Sequence, residues 1–268
     1  MTSHLVASVR PLLCGDFGAR IVHLSEIDST NSEVLRMASD PDVAEGTVVV
    51  ADSQTVGRGR WGRTWVSEPG GSLTFSILLR PGGRPELITT CVGVAVTEAI
   101  RELTGAEAGL KWPNDVVVDG RKLAGILVES QSGPSGVVAA VAGIGINLED
   151  PPSDVGAPVT SVADITSGPP PARHEVLGAI LSWLEPLYRA LDTRQGATQI
   201  VERASELSTV FGKEVTLTFA DGRTHTGMAM SLDPAGALIV RSRDGSETFR
   251  AGEITSARVV PGASSGDK

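Results

Sequence analysis

The spacing of apolar positions along the first two thirds of the chain alternates between strand and helix patterns. After a start without periodicity, Arg20-Ile21-Val22-His23-Leu24 alternates like a half-buried strand. It runs into Asp28-Ser29-Thr30-Asn31, a turn cluster in which Thr30 and Glu33 stand at the spacing of a capping box. A helix is therefore expected over residues 31–38, stopping near Pro41. Gly46-Thr47-Val48-Val49-Val50-Ala51 reads as a buried strand, with Gln54 just beyond its end. Residues 72–79 alternate, placing Leu73, Phe75, Ile77 and Leu79 on one face of a second strand. Residues 85–103 follow with helical periodicity, ended by Gly105.

Beyond that helix the pattern is a hairpin. Val116-Val117-Val118 and Leu123-Ala124-Gly125-Ile126-Leu127-Val128 flank Asp119-Gly120, a pair suited to a two-residue turn with positive φ. Asn114 and Asp115 then stand at the entry of one strand and Lys122 at the start of its partner. Gly125 leaves room on the sheet for a ligand lying flat. Residues 132–136 form a turn, and 137–148 a further strand ending in Gly143-Ile144-Gly145-Ile146-Asn147. Lacking a third glycine and a following helix, that run is not a dinucleotide fingerprint. Residues 151–171 read as loop, and helices are expected over 174–192, kinked at Pro186, and 198–208. From Gly212 the period shortens. Strands at 215–219, 237–241, 247–249 and 257–260, punctuated by Asp221-Gly222, Asp233-Pro234 and Asp244-Gly245, predict a small barrel of about fifty residues.

One stretch fits neither period. Gly57-Arg58-Gly59-Arg60-Trp61-Gly62-Arg63-Thr64-Trp65 interleaves three glycines with three arginines. Alternate glycines let the backbone take positive φ and approach a ligand closely, and guanidinium forks suit phosphate and carboxylate. The loop is expected to fold around an anion. A nucleic-acid tail is the competing reading, but the net charge of −9 argues against a broad basic face. A P-loop is a second competitor, since Gly57 to Thr64 reads G-x-x-x-x-G-Arg-Thr. Pro69, Gly70 and Gly71 would stop the helix a P-loop must open, and its lysine is missing.

Composition sharpens this only a little. At 268 residues, 41% hydrophobic and 21% charged, the chain is an ordinary globular one, large enough for one sizeable domain and a small one. It has no bilayer-length apolar run and no signal-peptide pattern, so a cytoplasmic location is expected. Cys14 and Cys91 are too few and too unlike in setting for a disulfide framework or a zinc site. Of 23 basic residues only four are lysines, and two of these, Lys111 and Lys122, fall in the hairpin block. A basic loop with an acid at a strand entry suits a nucleotide with magnesium. With no nucleophile in evidence, activation of a substrate carboxylate by attack on an α-phosphate fits the parts best. Lys122, the arginines and Mg²⁺ would cancel the repulsion between two anions.

Five motifs together carry a resemblance. Asp28-Ser29-Thr30-Asn31, Gln54-x-x-Gly57-Arg58-Gly59-Arg60-x-Gly62-Arg63-x-Trp65, Lys111-Trp112-Pro113-Asn114-Asp115, Arg121-Lys122-Leu123-Ala124-Gly125-Ile126-Leu127-Val128-Glu129 and Gly143-x-Gly145-x-Asn147 occur in the order found in the biotin protein ligases. The resemblance implies an α+β fold. A mixed central sheet packed with helices is expected over residues 1–210 and an SH3-like barrel over 211–261, with a disordered tail expected over 262–268. It implies that biotin and ATP form biotinoyl-5′-AMP, from which the biotinoyl group passes to a lysine of a biotin carboxyl carrier domain of acyl-CoA carboxylases.

Residue by residue, the resemblance places biotin against Ser29, Thr30, Asn31, Gln54, Gly57, Arg58, Gly59, Arg60, Lys122 and Gly125. It places ATP against Arg58, Arg60, Arg63, Trp65, Lys111, Asn114, Lys122 and Asn147. Asp115 is the candidate for Mg²⁺. Lys122, Asp115, Arg58 and Arg60 are the catalytic candidates, the first two relaying the acceptor lysine's proton. About twenty residues before the first strand leave no room for the winged helix-turn-helix that makes some relatives repressors, so no operator binding is expected. Trp61 stands where some relatives have another arginine. A lipoate ligase or octanoyltransferase of the same superfamily, and a non-catalytic RNA-binding module, are the alternatives.

Overall fold

Ser3 accepts a hydrogen bond from the Val6 N–H and so caps His4–Val9 (α1), a helix absent from the periodicity because only Val6 and Val9 of it are buried. The computed structural model describes residues 3–66, 70–133, 136–152 and 157–260. Ile21–Ile27 (β1) and Val48–Gln54 (β2) pair in parallel, joined through Thr30–Ala38 (α2). A parallel pair needs such a crossover. Every other neighbour in the sheet is antiparallel: Ser72–Leu79 (β3) beside β2, and then, after Ile88–Thr104 (α3), the strands Gly109–Lys111 (β4), Asp115–Val118 (β5), Arg121–Gly133 (β6) and Gly136–Asn147 (β7). The order across this seven-stranded sheet is β1-β2-β3-β7-β6-β5-β4.

Val162–Ile165 (α4), Arg173–Ala190 (α5) and Arg194–Glu206 (α6) follow, α5 continuing through Pro186. One face of the sheet buries Val48, Val50, Leu73, Phe75, Ile77 and Leu79 against α3 and α5. The other face packs Val49, Leu78 and Val141 against Val34 and Ala38 of α2. The expected alternation of β3 is correct for its odd positions. Its even positions Thr74 and Ser76 are also buried, because they lie under the polar pocket instead of facing solvent.

Glu214–Phe219 (β8), Thr224–Leu232 (β9), Leu238–Ser242 (β10), Gly245–Phe249 (β11) and Ile254–Val259 (β12) form the second sheet, in the order β11-β10-β9-β8-β12. β9, its central strand, is missing from the sequence reading. Its run Thr-His-Thr-Gly-Met-Ala-Met-Ser-Leu has few β-branched residues and a glycine in the middle. The tail expected over 262–268 lies outside the described residues, as do Ser67, Glu68 and Pro69.

Two local expectations need correcting. Ser29, not the turn before Asn31, is the helix N-cap residue, and Thr30 is the first residue of α2, so no Thr30–Glu33 capping box forms. The Glu33 carboxylate instead accepts from Arg36 on the exposed face. Gln54 is the last residue of β2, not one beyond it. Both corrections aim polar side chains at one place, described next.

Candidate functional site

The beginning of α2 and the end of β2 meet because parallel strands bring the two C-terminal ends, and the crossover between them, to one edge. Thr30 donates its backbone N–H to Gln54 Oε1 at 2.9 Å and its hydroxyl to the same oxygen at 3.2 Å. Beneath them Ser76, fully buried on β3, lies 2.7 Å from Thr30 Oγ1 and 2.6 Å from Asn31 Oδ1. Asn31 Nδ2 donates to Glu129 Oε2 at 2.7 Å. Glu129 in turn grips Arg58 with both oxygens, at 2.9 and 2.7 Å. Hydroxyls, amides and one fork-to-fork ion pair thus make a continuous chain from β2 to the arginine loop. Buried polar groups linked in this way are rigid, because breaking one bond leaves its partner unsatisfied.

The arginine loop is a hairpin. Arg58 and Thr64 form an antiparallel bridge, Trp65 N–H donates to Gly57 at 3.0 Å, and Gly59 N–H to Arg63 at 2.7 Å. Gly57 is required here, since a Cβ would fall 2.2 Å from the Trp65 carbonyl oxygen. At the tip Trp61 takes φ 57° and Gly62 φ 72°. The hairpin lays Trp65 across the sheet. A Cβ on Gly145 of β7 would come within 2.3 Å of the indole, and one on Gly125 of β6, its cross-strand partner, within 3.2 Å. The room expected over Gly125 for a flat ligand is taken by Trp65 and by Lys122, whose Nζ would stand 3.0 Å from a Cβ there. Gly143 has a different reason to be small: a Cβ there would meet Asn31 Oδ1 at 2.1 Å.

The β5–β6 hairpin supplies the far wall. Asp119 and Gly120 both have positive φ, 50° and 73°, as the Asp-Gly pair predicts. Lys122 Nζ lies 2.6 Å from Asp115 Oδ1 and 5.7 Å from the centre of the Trp65 ring. Lys122 and Asp115 are thus a close ion pair inside the half-buried wall. Asn114 is a staple: its Nδ2 donates to Ile126 O at 2.9 Å and its Oδ1 accepts from Arg60 at 3.1 Å. Asn147 is another, donating to Thr160 O at 3.0 Å and so drawing the 157–160 segment onto Lys122. Burial pulls the Arg60 guanidinium below its ordinary pKa, Asp115 opposes that and Arg63 adds to it.

These parts line one cavity of about 410 Å³. It collects Ser29, Thr30, Asn31, Gln54, Arg58, Gly59, Arg60, Arg63, Trp65, Lys111, Asn114, Asp115, Lys122, Gly125 and Asn147, which is every candidate site residue except Gly57. Gly57 stands behind the wall, under the Trp65 carbonyl. Two groups of lining residues and one residue behind the wall were not foreseen as site residues. Gly143 and Gly145 were visible in a motif whose function the sequence left unassigned. Glu129 does not line the cavity but holds Arg58 and Asn31, which do; it closes a motif but looks like an exposed strand end. Thr255, Ser256, Ala257 and Arg258 come from the barrel, and nothing in their own sequence signals it.

Residues 24–147 match the model of the biotin/lipoate A/B protein ligase family, and 210–255 match the biotin protein ligase C-terminal domain. The bifunctional ligase/repressor BirA of Bacillus subtilis is 31% identical over 243 residues, covering 88% of this chain and 74% of that protein. This chain belongs to the biotin protein ligases. The biotin–[acetyl-CoA-carboxylase] ligase of Mycobacterium tuberculosis is 30% identical to it, each covered over 88% of its length. Among solved structures, the biotin protein ligase of Aquifex aeolicus in complex with biotin and ATP matches with a TM-score of 0.78 at 30% identity, over 90% of this chain and 99% of that one. The α+β fold with a mixed sheet and a C-terminal antiparallel domain is thus that of the biotin protein ligases. No helix among the described residues is long and apolar enough to cross a membrane.

Proposed function

We propose that the cavity joins biotin to ATP as biotinoyl-5′-AMP and then passes the biotinoyl group to a lysine of a biotin carboxyl carrier domain of an acyl-CoA carboxylase. The observation that carries this reading is the Lys122–Asp115 pair under Trp65, sharing one cavity with the Ser29-to-Gln54 polar end and the arginine hairpin. The ureido ring of biotin is a compact polar group and suits Ser29, Thr30, Asn31 and Gln54. Its aliphatic tail suits the apolar lining of Trp65, Ile126, Leu127 and Ile144. That geometry delivers the carboxylate to Lys122.

In the first step a biotin carboxylate oxygen attacks the α-phosphorus, the bond from that phosphorus to the bridging oxygen breaks, and pyrophosphate leaves with its electrons. Both reactants are anions, so the protein's work is to hold them together and to offset their repulsion with Lys122, Arg58, Arg60 and Arg63. Lys111, Asn114 and Asn147 stand on the nucleotide side. A magnesium ion would neutralise phosphate charge. Among the described residues no cluster of three His, Cys, Asp or Glu side chains could hold a metal alone. One carboxylate, Asp115, which lines the cavity, still fits an ion that would take its remaining ligands from phosphates and water. In the second step the acceptor amine attacks the anhydride carbonyl, the bond to the phosphate oxygen breaks, AMP leaves, and Asp115 takes the amine's proton.

The test is pyrophosphate release with ATP and biotin, followed by transfer of label to a carrier domain. Release that depends on biotin, and label on the carrier lysine, are expected. Release with lipoate in place of biotin, or none with either, would overturn the reading.

A further inference from the structure

The tip of the arginine hairpin is fastened to the second domain. Trp61 Nε1 donates to the Ile254 carbonyl at 2.9 Å, and Arg60 Nη2 donates to the same oxygen at 2.8 Å and to that of Ala251. Arg63 Nη2 donates to Thr255 at 3.0 Å. Three consecutive-turn carbonyls of one short segment, the 3-10 turn Ala251–Glu253 and the start of β12, thus receive three side chains from the hairpin. The next residues of β12, from Ser256 to Arg258, complete the cavity wall.

Two features show that these contacts hold the hairpin in place. Trp61 is a bulky residue in the left-handed region, at φ 57° and ψ 38°, where it persists only if its surroundings favour it. Its ring is otherwise half in solvent, at 47% exposure, and the indole N–H bond to Ile254 is what that conformation gains. The acceptors, moreover, are all neutral. Arg60 is held by carbonyls and by the amide oxygen of Asn114, with no carboxylate among the described residues in hydrogen-bond contact. Its position is therefore fixed by neutral acceptors, with Asp115 acting on it only through space, and its charge stays available to an anion in the cavity.

We propose that the 251–255 segment of the barrel is a latch for the arginine hairpin, and that Trp61 is a positioning residue that keeps the reactive mixed anhydride enclosed until the acceptor lysine arrives. Trp61 does not line the cavity, so its effect on retention has to pass through the latch. This rests on the adenylate chemistry proposed above. It also assigns the barrel a task in the reaction: it sets how long the closed state lasts.

The test is Trp61→Phe, which keeps the ring and removes the donor. Loss of one neutral hydrogen bond predicts that labelled biotinoyl-5′-AMP escapes from preloaded enzyme roughly three- to tenfold faster. The single-turnover rate of pyrophosphate release should stay within about twofold of wild type. In hydrogen exchange, residues 57–65 and 251–256 should gain protection together when biotin and ATP are added, and lose it together in the variant. Retention equal to wild type in Trp61→Phe, or protection of the hairpin with no change at 251–256, would overturn the latch. A wild-type enzyme that releases no pyrophosphate with biotin would instead overturn the ligase reading itself.

Discussion

Lys122 and Glu129 show how much a single side chain here depends on its partner. The Lys122 ammonium is held by Asp115 at 2.6 Å in a half-buried site, where charge acts more strongly than in water. Lys122→Ala should slow biotin-dependent pyrophosphate release by roughly 10²- to 10³-fold, the usual scale for removing a preorganised charge at a transition state. The melting temperature should barely move, since neither partner is deeply buried. Unchanged release in the variant would remove Lys122 from the reaction. Glu129 bears no catalytic charge of its own, yet it aligns Arg58 and Asn31 together. Glu129→Gln keeps an acceptor for Asn31 and loses the bidentate grip on Arg58. The expected result is a KM for biotin raised by about tenfold, with a fall in kcat as well, because Arg58 also offsets charge in the adenylation step. A KM equal to wild type would show that Arg58 needs no such support.

At the scale of elements, the glycines of β6 and β7 and the hairpin above them form one unit. Trp65 fills the space left by the missing side chains of Gly125 and Gly145, so strand and hairpin are complementary in shape. Gly145→Ala adds one methyl where the indole now sits 2.3 Å away, too close for both to remain. The flexible partner has to yield, and it is the hairpin. Near-UV circular dichroism should show Trp65 displaced, and adenylate formation should fall by at least about tenfold, while the sheet keeps its far-UV spectrum. An unchanged near-UV spectrum would mean that Trp65 does not rest on β7. The sequence pattern marks Gly125 as a position with room above the sheet and leaves Gly145 unassigned; it does not say what approaches either, because Trp65 lies 60 and 80 residues earlier in the chain.

Across the whole molecule, the two sheets share residues. Trp112 stands between Lys111 and Asp115 in the catalytic hairpin's motif, yet it packs in the barrel core with Val215, Leu238 and Val240, and its Nε1 donates to Gly236 O at 3.2 Å. Trp112→Ala should cost about 3–5 kcal/mol in the denaturant transition that reports the barrel, in the range for a large aromatic removed from a core. It should also weaken activity, since the same residue tethers the Lys111-to-Asp115 segment. A transition at the wild-type midpoint would show that the barrel core does not depend on it. What the sequence by itself determined is local: the Asp119-Gly120 turn, the run of β3, the length of α3 up to Gly105, and the grouping of chemistry into five motifs. Each of these follows from forces acting over a few residues, namely backbone sterics, side-chain period and turn preference. Only the tertiary structure decided that Glu129 would hold Arg58, that Trp65 would cover Gly145, and that barrel carbonyls would receive Arg60, Trp61 and Arg63. Those contacts join residues 71, 80 and about 190 positions apart. A backbone carbonyl carries no signature in the sequence at all, because every residue has one, and folding alone selects which of them face a guanidinium.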